Sequence, residues 1–422
     1  MSESLGAIAL LSVIGISVIL LLAVRRRVDF FTFFAAWFIV LYVLAPLHLL
    51  LGGPEFLHPA VLYGYNQYGT GSVAVPLVVG AGFLSVLLGY QWRWPRASGD
   101  RVRIVFTWTP RITLKMACVF LVVASFATLI YVQQYGGLVK TLRLAILIRG
   151  GAITEAGPLV FLKHFMSCSY ISLFLIFVTV VQEGFRPCRL WKLTLFGLSA
   201  AGAVLTTVLF AARGTILYLA VILYLTLAMY RRRIYFRYLV LILVVATPLV
   251  LWGKYLYHGF VHGDTLERLS HLVRGLHLSA AYQALWQNFV HPYVSLEVAL
   301  ATTGEFKPRL FLDWIYAIFH FVPERIIAVE LPETIAYLNT EFVRGVRDSI
   351  VPPGLFGFFW YSGVLPGVIL GGIVYGALGR WLDTVLGKNR KSALEVGVYV
   401  VVAFMWSRFT MTGEPRVFLF TE

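Results

Sequence analysis

Long apolar runs separated by short basic connections make up most of this chain. Leu5–Val24, Phe30–Leu51, Ser72–Gln91 and Ile112–Gln133 come first, then Leu159–Gln182, Leu193–Ala211, Thr215–Tyr230 and Tyr238–Trp252, and later Phe356–Leu382 and Ala393–Arg408. Runs of this kind reach or approach the roughly 18 to 20 residues that cross a bilayer core of about 30 Å. In lipid each segment must satisfy its own backbone, and continuous apolarity selects helices over the alternating strands of a barrel. The pattern predicts an all-α polytopic membrane protein with about ten transmembrane helices.

One block, from Gly253 to Pro353, breaks the rhythm. It holds six of the nine histidines: His258, His262, His271, His277, His291 and His320. Two of its segments, Leu278–Leu300 and Leu310–Leu331, are apolar enough to touch membrane. They also carry Gln283, Asn288, His291, Glu297, Asp313, His320 and Pro323-Glu324-Arg325. That polar content suits interfacial or re-entrant helices, and if both crossed the count would be twelve. Asp264-Thr-Leu-Glu267 reads as a capping box, with Leu266, Leu269, Val273, Leu276 and Ala280 at helical spacing behind it. The expected layout is therefore helices 1–8 in residues 1–252, a large outer-face helical loop in 253–355, and helices 9–10 with a tail in 356–422.

Composition agrees: 59% of the 422 residues are hydrophobic and 13% charged, against about 25% charged in soluble domains. The net charge of +15 lies mainly in short connections: Arg25 to Arg27, Arg93 to Lys115, Arg186 to Lys192, Arg231 to Arg237, and Lys388 to Lys391. Ten spans put every one of these on one side, the positive-inside pattern. Both termini and the long block are then expected on the outer side. The block has eight Lys or Arg against ten Asp or Glu, so the charge orients the chain and does not imply a nucleic-acid partner. Cys118, Cys168 and Cys188 show neither a disulfide pattern nor a paired metal spacing.

Ionisable groups at membrane depth are costly and are functional candidates by default. Arg213-Gly214 lies in an apolar turn between two spans, where the glycine is expected to leave room for a ligand. Arg344 and Arg347, three residues apart, can present guanidinium forks to a diphosphate, and Asp348 beside them can act as a base. Arg143, Arg149 and Arg274 are further outer-side cations, and Arg408 and Arg416 are placed to close a cavity from the C-terminal side. His291, before a proline, is another candidate base. His258 and His262 have a metal-pair spacing without a completing carboxylate, so no metal site is expected. Phosphate-cradling, dinucleotide, nucleophile-elbow and zincin motifs do not occur. Energy must then come from a gradient or from the substrate itself, as with an activated lipid-linked donor.

Several of these motifs carry a family likeness: Tyr135-Gly-Gly-Leu, Arg213-Gly214, Tyr337-Leu-Asn-Thr340, and Pro352-Pro-Gly-Leu-Phe-Gly-Phe-Phe-Trp-Tyr-Ser-Gly363 before a Gly-rich span. With this layout the chain resembles the oligosaccharide repeat-unit polymerases of bacterial envelopes, the Wzy-type O-antigen and exopolysaccharide polymerases. It departs from the arginine-x10-glycine loop motif of some members. The resemblance implies a GT-C-like helical bundle in the inner membrane with its active site on the periplasmic side. It implies en bloc transfer of a growing glycan from undecaprenyl diphosphate to the terminal sugar of an incoming repeat unit. That chemistry is inverting, needs no metal or other cofactor, and makes a chain-length regulator a natural partner. Arg213, Arg347, Arg344, Arg149 and Arg274 are then expected on the diphosphate. Asp348, His291 or Glu341 would be the base, and Tyr337, Trp360 and Tyr361 would stack on sugars. An O-antigen ligase acting on lipid A core, or a lipid-linked oligosaccharide flippase, would share much of this pattern.

Overall fold

The structure is a computed structural model and describes residues 2–25, 27–54, 57, 59–69, 71–102, 108–149, 160–184, 189–244, 278–319, 332–346, 350–388 and 390–420. Among the described residues there are helices and no strands. Nine helices among the described residues are long and apolar enough to cross a membrane: Ser4–Arg25, Phe30–Gly52, Ala74–Gln91, Pro110–Gln134, Lys163–Glu183, Leu190–Leu209, Gly214–Arg231, Gly354–Gly387 and Ala393–Thr412. They coincide with nine of the ten expected spans, as suits a polytopic membrane protein. The remaining one, Tyr238–Trp252, begins as helix over 236–244 and then leaves the described residues.

The chain groups into two compact units. The first comprises Met1–Arg103, Tyr282–Gly387 and Val402–Glu422. Its core is aromatic: Phe30, Phe31, Phe34, Phe38 and Tyr42 are fully buried on one helix and meet Phe83, Phe356, Tyr375 and Trp406. Rings of this size bury a large apolar area and pack tilted or edge to face. Asp29 starts that helix, its carboxylate accepting from the Thr32 N–H at 3.0 Å while the Thr32 hydroxyl accepts from the Asp29 N–H. Arg25 donates to Asp29 at 2.6 Å and lies over the rings of Phe31 and Tyr90. Tyr90 donates to Asp383, which pairs with Arg380. Helix ends that the charge pattern assigns to one side thus meet in one polar cluster.

Ala74–Gln91 and Gly354–Gly387 pack in close backbone contact. A Cβ on Gly376 would meet the Val86 carbonyl, and one on Gly89 the Ile373 carbonyl, so small residues here let backbones touch, as at membrane helix interfaces. The Gly354–Gly387 helix is itself broken. Gly363 and Val364 leave helical geometry, Val364 with φ 54°, and Pro366 follows. The break frees carbonyls, and neighbouring backbone restores their partners: the Arg309 N–H donates to Tyr361 O at 3.1 Å and the Leu310 N–H to Ser362 O at 2.8 Å. Non-helical backbone at this depth is tolerated where protein supplies such bonds.

Residues 290–299 of the helix Leu278–Ala301, a segment expected to be interfacial or re-entrant, are buried on every side and held by protein neighbours. A helix enclosed all round is a core element. Val290, Val294 and Val298 pack with Ala45, Leu49, Val61 and Val343. Ala45 and Leu49 are roughly 15 to 20 residues along the helix from Asp29, so the block sits at the end of this unit remote from the Arg25 cluster, on the order of 25 Å away.

The second unit comprises Ile104–Ala281 and Lys388–Val401. Its helices Pro110–Gln134, Lys163–Glu183 and Arg189–Leu209 are joined by buried hydroxyls. Ser172 donates to the Ala117 carbonyl and shares a hydrogen bond with Ser199, Ser169 pairs with Thr206, and Tyr170 with Thr207. Such bonds supply adhesion where lipid removes the hydrophobic drive.

Candidate functional site

Three of the expected site residues come together in the first unit. The helix Ile335–Arg344 starts at Thr334, whose hydroxyl accepts from the Tyr337 N–H, and ends at Gly345 with φ 70°. Its buried face carries Ile335, Ala336, Asn339, Thr340 and Val343. Tyr337, Glu341 and Arg344 are at i, i+4 and i+7, so they form one stripe on the other face. Tyr337 is 37% exposed, and Glu341 and Arg344 are half-buried. An aromatic ring, a carboxylate and a guanidinium therefore line a strip about 10 Å long.

The buried face fixes this stripe. Asn339 makes the central contact: its amide donates to Ser295 Oγ at 3.0 Å and to Val351 O at 2.8 Å, while its oxygen accepts from the Tyr361 hydroxyl. The Thr340 hydroxyl accepts from the Val351 N–H at 2.7 Å. Gly64 presses on the Val343 backbone and the Tyr63 ring on Gly345, which docks the helix Pro59–Tyr68 alongside.

Two expected sugar-stacking residues are corrected. Tyr361 is fully buried, its ring edge-on to Phe306, and Trp360 is 9% exposed with its indole N–H donating to Thr303 Oγ1 at 3.0 Å. Both belong to the stretch 353–362, which is enclosed throughout, so neither offers a ring face to a sugar. His291 is also enclosed, at 7% exposure. Arg274, Arg347 and Asp348 lie outside the described residues.

The second unit holds Arg149 and Arg213. The chain turns at Ala211, φ 51°, and a new helix starts with Arg213 as its first residue. A helix N-terminus favours an anion, and Arg213 is the first residue of this one. Ala145 of the helix Leu138–Arg149 packs with Ala211, and Arg149 is one turn beyond Ala145 on the same face. The two arginine positions are thus brought to one locality. The room expected beside Gly214 is occupied: a Cβ there would meet the Tyr218 ring.

Sequence reasoning missed a buried charge cluster in the first unit. Asp313 is fully buried and pairs with Arg309 at 3.1 Å, and Arg416 approaches it to 4.0 Å and Glu414 to 4.0 Å. Arg309 also donates to Glu333 O and Arg416 to Pro332 O. Burial pushes the Asp313 carboxyl above its ordinary range, with Arg309 and Arg416 pulling the other way; burial lowers the Arg416 guanidinium. The i, i+4 spacing of Arg309 and Asp313 was visible in the sequence, whereas Arg416 is remote from them along the chain. Glu297 is a second buried acid: it accepts from the Gly71 N–H at 3.0 Å, and with desolvation it raises the Tyr65 and Tyr293 phenols. Among the described residues no group of His, Cys, Asp or Glu has a metal-holding arrangement.

Comparison with family models, curated proteins and solved structures finds no match to this chain.

Proposed function

We propose that the chain is a membrane glycosyltransferase that polymerises undecaprenyl-diphosphate-linked oligosaccharide repeat units. The observation that carries this reading is the stripe of Tyr337, Glu341 and Arg344, which puts groups suited to a sugar ring, a proton and a phosphate on one helix face. The acceptor hydroxyl attacks the anomeric carbon at the reducing end of the growing glycan, and the bond from that carbon to the diphosphate oxygen breaks. Undecaprenyl diphosphate leaves with the electron pair, and a carboxylate, Glu341 or Asp348, takes the hydroxyl proton. Fixed cations stabilise the charge developing on the leaving group: Arg344 is the one on the stripe, and Arg213 is a candidate from the sequence. Direct displacement inverts the anomeric centre. We place the reaction on the periplasmic face of a bacterial inner membrane, with a chain-length regulator as partner.

The test is incubation of the purified protein with lipid-linked repeat units and separation of products by length. A ladder that collapses in Arg344→Ala and in Arg213→Ala supports the reading, and absence of a ladder with the host's own repeat units overturns it. In the host, loss of the gene should leave single-repeat caps; loss of all capping would point to a ligase.

A further inference from the structure

Beside the stripe runs a second polar face. On the helix Pro59–Tyr68, Tyr63, Asn66 and Gln67 are at i, i+3 and i+4 and all are exposed, Tyr63 by 45%. These two faces are neighbours, because Tyr63 rests on Gly345, the residue after Arg344, and Gly64 rests on Val343. Their chemistry is specific. A carboxamide donates and accepts at once, as vicinal sugar hydroxyls require, and a half-exposed phenol ring offers a flat apolar face with a polar edge. A surface built to hold lipid headgroups would be rich in Lys and Arg, and Tyr63, Asn66 and Gln67 bring no charge.

We propose that Tyr63, Asn66 and Gln67 form a carbohydrate subsite that extends the Tyr337–Glu341–Arg344 stripe and selects the glycan part of a lipid-linked oligosaccharide. The subsite rests on the function proposed above and assigns within it a division of labour: Arg344 meets the diphosphate, and the amide-and-tyrosine face reads the sugars beyond it. Tyr63 is the specificity residue, since its ring lies against Gly345, the residue after Arg344.

The full chain in nanodiscs is titrated with two probes: undecaprenyl diphosphate alone, and lipid-linked oligosaccharide extracted from host cells deleted for the gene. Tyr63→Ala and the double variant Asn66→Ala/Gln67→Ala are expected to weaken the oligosaccharide probe roughly tenfold and leave undecaprenyl diphosphate unchanged. Tyr63→Phe, which keeps the ring, is expected to bind within about twofold of wild type. Equal weakening of both probes, or no weakening of either, overturns the subsite. Wild-type protein that binds undecaprenyl diphosphate with no gain from the glycan also overturns the subsite and leaves the lipid-diphosphate reading standing. Wild-type protein that binds neither overturns both.

Discussion

The backbone N–H of Leu310 donates to the carbonyl of Ser362 at 2.8 Å, across the gap where the Gly354–Gly387 helix breaks. The loop donating this bond is itself bent, with positive φ at Leu310 and Phe311, and Val364 opposite has φ 54°. A β-branched residue there costs on the order of 1–3 kcal/mol. Val364→Gly is therefore expected to raise stability by about 1 kcal/mol, read as a higher unfolding midpoint in detergent. A lower midpoint would mean that the valine side chain contributes more than the strain removes.

Gly376 tests the helix crossing. The Val86 carbonyl occupies the place a methyl group would take, and backbone cannot yield as a side chain does. Gly376→Ala should cost about 1–3 kcal/mol, whereas Gly197→Ala, at a position with open space, should stabilise by up to about 1 kcal/mol. Similar midpoints for the two variants would contradict the close approach.

Asp313 should give a pH signature. Its folded pKa is raised, so the folded state holds the proton more tightly than the unfolded chain. Its contribution is greatest below the ordinary carboxylate value and falls as pH rises through the raised folded value, then levels off. Unfolding midpoints of wild type and Asp313→Asn, measured across the acid range, should show this slope in wild type alone. Parallel curves would remove Asp313 as its source.

Tyr361 separates packing from recognition. Tyr361→Phe loses one hydrogen bond to Asn339, a cost of about 1 kcal/mol, and should leave the proposed polymerising activity unchanged. Tyr361→Ala empties a fully buried site and should cost about 3–5 kcal/mol. A Phe variant that folds as wild type yet has lost activity would restore Tyr361 to the site.

The spans were legible because apolar length alone specifies a membrane helix, and nine of them coincide with described helices. The stripe was half legible: Tyr337, Glu341 and Arg344 were each singled out, but their common face appears only once Thr334 and Gly345 fix the helix ends. What the sequence hid depends on distant partners. Tyr361 looked like a sugar-stacking aromatic because nothing local reveals Phe306 or Asn339 around it. Tyr63, Asn66 and Gln67 drew no notice, since a short polar helix between spans looks like any connection. Asp313 had Arg309 within one turn, but Arg416 reaches it only through tertiary packing.

The enclosed helix in the long block also constrains how the protein is made. The helix Leu278–Ala301 carries Gln283, Gln287, Asn288, His291 and Glu297 along its length, a costly set of polar groups for a segment in lipid. Leaving such a segment in lipid by itself is costly, and enclosure by protein removes that cost. Its partners come from both directions along the sequence: Ala45, Leu49 and Val61 are made long before it, while Val343 and Gly354, which abuts Pro292, are made after. It must therefore wait for synthesis to pass Gly354 before it can be enclosed. A pulse-labelled nascent chain should keep this segment open to protease until that point, making its closure a late step in biogenesis.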